Sequence, residues 1–197
     1  MNQQPSLAQW LPVALMVGVL AGISVYLTSV ISASNPSLAW VGAPWVLFIS
    51  WGAWFSIGAK MKRLGKMIIA LAGGVIFGVI TIVVYAKILS PILGEPWALP
   101  ATVFLIATTI VLLELTDWFE IAFVYFFSYA GYFAYLFGGF AGASINPIEN
   151  PYTPAIYCLI LLMAGVVFAL ANIFLKDAIL GTENVPPERR TTVFDKE

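Results

Sequence analysis

Three carboxylates crowd the segment from Glu114 through Asp117 to Glu120, between two strongly apolar stretches. Acidic groups at a membrane boundary hold a cation or exchange a proton if the protein desolvates them, and are ordinary solvated interface residues if it does not. Glu114 and Asp117 are therefore the candidate ion or proton site, with the solvated reading beside it. The chain has no histidine and one cysteine, Cys158. The usual ligands of zinc, copper and haem iron and the usual general base near neutral pH are thus missing or isolated. No catalytic residue, metal site or cofactor is expected, and the chain is not expected to be an enzyme. A nucleotide-driven pump is equally out of place, because no GxxxxGK[ST] occurs.

A second set of polar side chains comes as a pair. FISWGAWF, Phe48 to Phe55, returns as FFSYAGYF, Phe126 to Phe133, which aligns Ser50 with Ser128, Trp51 with Tyr129, Trp54 with Tyr132 and Phe55 with Phe133. Further on, GVIFG from Gly74 matches GVVFA from Gly165, with Thr81 and Asn172 at equivalent places beyond each. On a helix Ser50 and Trp54 share a face, as do Ser128 and Tyr132. Hydroxyl groups replace part of a solute's hydration, and aromatic faces sandwich a planar group or hold a cation. Ser50, Trp51, Trp54, Ser128, Tyr129, Tyr132, Thr81 and Asn172 are the candidate substrate path, suited to a small neutral or weakly cationic solute. The competing reading is packing, since aromatics and Ser are common in membrane helices and Ser often bonds its own preceding turn.

The elements that must carry these residues follow from composition. With 61% apolar and 10% charged residues and a mean hydropathy of +0.94, lipid must cover what charge cannot. A helix needs about 20 apolar residues to cross the hydrocarbon layer. Six stretches answer to this, about 11–32, 38–58, 67–89, 99–115, 118–138 and 155–175, the fourth being the shortest. The N-terminal apolar run has no preceding Lys or Arg and no cleavage pattern, so it is expected to stay as the first span rather than act as a signal peptide. Lys60, Lys62, Arg63 and Lys66 follow the second stretch, and Lys176, Arg189, Arg190 and Lys196 follow the sixth. The positive-inside rule puts both groups, and with them the N- and C-termini, in the cytoplasm. The expected fold is an all-α polytopic membrane protein with six transmembrane helices. Residues 1–180 form one membrane domain and 181–197 a polar cytoplasmic tail.

Three spans per copy force the second copy, about 99–175, to enter the membrane from the side opposite to the first, about 11–89. That is a 3+3 inverted-topology repeat, an architecture of transporters and channels. Gly18 to Gly22 and Gly74 to Gly78 are GxxxG patterns, read first as close packing within one protomer and second as oligomer contacts.

The Gly-rich VGVLAGI, the LAWVGAPWVLFISWGAWF span and the IIALAGGVIFGVIT span together resemble the YcdZ-like family of uncharacterised bacterial inner-membrane proteins, a domain of unknown function. The resemblance is best over 11–89 and returns over 124–175. It implies a multi-pass protein of the bacterial inner membrane and carries no activity or site residue. Two functions follow from the whole reading. One is a small-solute channel or facilitated transporter; the other is a non-catalytic structural or accessory subunit of a larger membrane complex. The expected partners are the lipid bilayer, a small solute, and further copies or other membrane proteins; no nucleic acid is expected.

Overall fold

The computed structural model describes residues 7–180, so the polar tail expected over 181–197 lies outside the described residues. The described chain is all-α. Seven α-helices follow one another: α1 (Leu7–Ser34), α2 (Pro44–Ser56), α3 (Leu64–Val84), the single turn α4 (Ser90–Leu93), α5 (Ala98–Leu113), α6 (Ala122–Phe137) and α7 (Tyr152–Leu180). A wide π-type turn, Tyr85–Leu89, joins α3 to α4 so that the chain continues as one rod. Four segments are long and apolar enough to cross a membrane: Trp10–Ser34, Pro36–Ser56, Met61–Leu93 and Tyr152–Ile179. These apolar helices mark a membrane protein. Helices α5 and α6, with 16 residues each, reach roughly 24 Å at 1.5 Å per residue, short of a layer about 30 Å thick.

The second apolar stretch is broken where the sequence alone shows a continuous run. Residues Pro36–Val41 form a 3-10 turn, and the α-helix begins only at Pro44. Proline pushes its predecessor out of the α region, and Ala43 sits at φ −122, ψ 67. The fifth apolar stretch becomes α-helix, as α6, only from Ala122 rather than Trp118, because Asp117–Phe119 is a separate 3-10 turn. The sixth starts earlier than 155, where the Asn150 Oδ1 accepts the Thr153 N–H at 3.2 Å and caps the exposed first turn.

Two helix pairs make the core. Along α3 and α6, Gly65 lies beside Trp118, Gly73 beside Tyr125, Gly74 beside Ser128 and Gly78 beside Tyr132, so the two helices run parallel. Along α2 and α7, Trp40 stacks on Tyr157, Ser50 meets Gly165 and Trp51 stacks on Phe168, which makes this pair parallel too. In lipid no hydrophobic effect draws helices together, so close van der Waals contact and interhelical hydrogen bonds must do so. Small residues at the crossings allow it. The GxxxG of α3 is used in this way, since a Cβ on Gly74 would overlap Ser128 Oγ and the Tyr125 carbonyl oxygen. The GxxxG of α1 is not: among the described residues, nothing beyond the local helix backbone lies within 4 Å of a Cβ on Gly18 or Gly22. Most of α1 is exposed apolar surface, with Leu15, Val19 and Tyr26 all more than half accessible.

Candidate functional site

The eight residues proposed from the repeat come together at the two crossings. Ser50, Trp54, Thr81, Ser128 and Tyr132 have no accessible surface, and Trp51, Tyr129 and Asn172 retain 8% or less. Ser128 Oγ lies 3.3 Å from the Ala70 carbonyl oxygen of α3 and 3.2 Å from those of Val124 and Tyr125 in its own helix. Its one proton is shared among acceptors on both sides of the crossing. Ser50 Oγ donates to the Leu47 carbonyl at 3.1 Å. Both serines thus bond a preceding turn, which satisfies a hydroxyl that lipid cannot solvate.

Thr81 Oγ1 donates to the Phe77 carbonyl at 2.8 Å and lies 2.9 Å from Tyr129 Oη. With the threonine proton already used, Tyr129 is the donor between the two helices. Tyr132 Oη donates to the Pro151 carbonyl and Tyr135 Oη to the Trp40 carbonyl, each at 2.8 Å. The Pro36–Val41 turn and the loop before α7 are thereby tied to α6 at the end away from the Lys60–Lys66 connector. Phe140, from the loop after α6, stacks on Tyr135 and lies edge-on to Trp45. Sequence reasoning missed Tyr125, Tyr135 and Trp40. The alternation of tyrosines along α6 at spacings of three and four was the available signal, but a spacing does not show which rings find a hydrogen-bond partner.

The counterparts differ in satisfaction. Trp54 Nε1 and Asn172 Nδ2 in the α2–α7 pair are buried without a hydrogen-bond partner, as is Tyr125 Oη in α6. Two hollows flank the crossings. An open apolar groove of about 450 Å³ runs between α2 and α6, walled by Trp45, Phe48, Ile49 and Gly52 on one side and Phe127, Ala130, Gly131 and Ala134 on the other. A smaller one of about 220 Å³ lies under the loop after α6, between Leu136 and Pro154. None of the eight residues lines either hollow.

The acidic segment is arranged differently. Lys66 Nζ lies 2.9 Å from both Asp117 Oδ1 and Glu120 Oε1, pinning the α5–α6 connector to the start of α3. Asp117 is 79% exposed in this pair. Glu114 is exposed as well, and its Oε1 accepts the Ala122 N–H at 3.3 Å, where a carboxylate suits the first turn of α6. Both carboxylates lie on the surface of the described residues rather than enclosed by protein.

No curated protein and no solved structure matches the chain significantly. A family model described as a protein of unknown function (DUF1097) matches residues 14–176, from the first helix through nearly all of the last. The chain belongs to this family, DUF1097, whose members have no established function.

Proposed function

We propose that this protein is a small-solute channel or facilitated transporter of the bacterial inner membrane, built as a 3+3 inverted-topology repeat and present here with its path closed. One observation carries the reading. Ser50 meets Gly165, and Ser128 meets Gly74, so each crossing joins the second span of one sequence copy to the third span of the other. Equivalent contacts exchanged between copies are what a pseudo-two-fold axis in the membrane plane produces, and such axes carry solute sites in known architectures. In this reading all six apolar segments cross, with the short α5 and α6 lengthened by their flanking turns, and the basic connector faces the cytoplasm together with both termini. Neighbourhood to YcdZ within the family belongs to the same reading. No reaction is catalysed, and Ser50, Trp54, Ser128 and Tyr132 face the solute when the two crossings part.

The test is flux of small neutral and weakly cationic solutes into liposomes containing the purified chain. Trp54→Ala should change the flux by tenfold or more while helicity and mass stay unchanged; no flux for any solute class would remove the transport reading. A second reading, an accessory subunit of a larger membrane complex, is favoured by the burial of all eight residues, since packing faces need nothing more. Gentle extraction from native membranes followed by native mass measurement separates the two. A stoichiometric assembly with different proteins supports the subunit; a monomer or homo-oligomer supports transport.

A further inference from the structure

The two crossings are alike in shape and unlike in hydrogen bonding. In the α3–α6 pair, Thr81 receives the Tyr129 hydroxyl and Tyr132 finds the Pro151 carbonyl. The sequence counterparts in the α2–α7 pair are Asn172 for Thr81, Trp51 for Tyr129 and Trp54 for Tyr132. Trp51 has no hydroxyl, and Trp54 Nε1 and Asn172 Nδ2 are left buried with no acceptor. These helices are parallel with Trp51 stacked on Phe168, so the next turn of α2, which carries Trp54, is level with the turn of α7 that leads to Asn172. Two N–H donors at 0% and 2% exposure therefore lie within about one helical turn of each other along one crossing, in the half of the bundle next to the basic connector. A buried unpaired donor costs roughly 1–3 kcal/mol, which an acceptor supplied from outside the chain removes.

The chemistry of that acceptor is restricted. Both N–H groups donate, and neither side chain is ionised. The buried polar side chains among the described residues are Ser24, Thr28, Ser50, Thr81, Thr102, Ser128 and Asn172, none ionised. An anion brought here would lose its hydration with no cation to offset it, at a cost far above what two neutral hydrogen bonds return. We propose that Trp54 Nε1 and Asn172 Nδ2 bind the acceptor oxygen of a small neutral amide or alcohol between α2 and α7. This deepens the transport reading, on which it rests, by narrowing the solute to neutral oxygen acceptors.

The test uses the intact chain in lipid nanodiscs with 15N-labelled tryptophan. The Trp54 indole N–H resonance is assigned by its loss in Trp54→Phe or, if that variant does not fold, by elimination after replacing the other six tryptophans one at a time. Acetamide and glycerol are titrated, with methylammonium as a cation that offers no acceptor. The expected result is a saturable shift of that resonance with acetamide or glycerol, none with methylammonium, and affinity about tenfold weaker in Asn172→Leu. A resonance that moves with neither neutral probe, or that shows contact with water alone at every probe concentration, overturns the proposal. Flux of the same solutes is measured separately. Saturable binding without flux keeps the site and removes the transport reading, and flux without a shift does the reverse.

Discussion

Ser50 Oγ fills the space that a side chain on Gly165 would need, in a contact that includes the Leu47 carbonyl group. Ser128 and Gly74 repeat the arrangement on the other side of the bundle with the Tyr125 carbonyl oxygen. Each crossing depends on a glycine, because only a helix surface without a Cβ lets the neighbouring backbone come this close.

Gly74→Ala and Gly165→Ala should each destabilise the protein by about 1–3 kcal/mol through overpacking. The Cβ of either meets backbone as well as Oγ, so combining Gly74→Ala with Ser128→Ala restores only part of the loss. Thermal unfolding in a fixed detergent measures this. Equal tolerance of alanine at both glycines would contradict the close crossings.

Tyr129→Phe removes the interhelical bond to Thr81 and should cost about 0.6 kcal/mol, the average for such bonds inside membrane proteins. A double-mutant cycle with Thr81→Val should return a coupling of similar size. Additive losses would mean that the hydroxyls do not act on each other.

Lys66 holds Asp117 and Glu120 together. Lys66→Glu should loosen the 114–121 connector, seen as faster amide hydrogen exchange there, while helices α2 and α7 keep their protection. Reversing the acids, with Asp117→Lys and Glu120→Lys in the Lys66→Glu background, should slow that exchange again. High salt should mimic the single substitution, because exposed ion pairs are screened.

Gly18 and Gly22 have open space where a side chain would go, so Gly18→Leu and Gly22→Leu should leave monomer stability within about 0.5 kcal/mol. If α1 packs on a second copy, the same substitutions shift the native mass from oligomer to monomer. An unchanged mass assigns that face of α1 to lipid.

Cys158 is the one cysteine and is fully buried, so Cys158→Ala provides a background for topology. Ser37, Lys62, Thr116 and Ser144 are all exposed. An impermeant maleimide applied from outside the cell should label cysteine introduced at Ser37 and Ser144 and not at Lys62 and Thr116. Labelling at Lys62 would reverse the orientation expected from the basic connector.

The membrane character of the chain and its apolar segments were legible in the sequence. Hydropathy and local spacing are one-dimensional properties and survive without a fold. Boundaries were less so. The break at Gly42–Ala43 depends on Pro44 restricting the residue before it, and the late start of α6 on a short 3-10 turn that hydropathy does not register.

Only the tertiary structure decided which faces meet. In lipid every side of an apolar helix is equally acceptable, so hydrophobic periodicity does not choose a partner and steric fit does. That is why the GxxxG of α3 closes on Ser128 while the same pattern on α1 faces no neighbour among the described residues, a difference the motif itself does not contain. The same holds for Glu114, which stays exposed while its Oε1 accepts the Ala122 N–H, and for Trp54 and Asn172, whose lack of an acceptor depends on every atom packed around them.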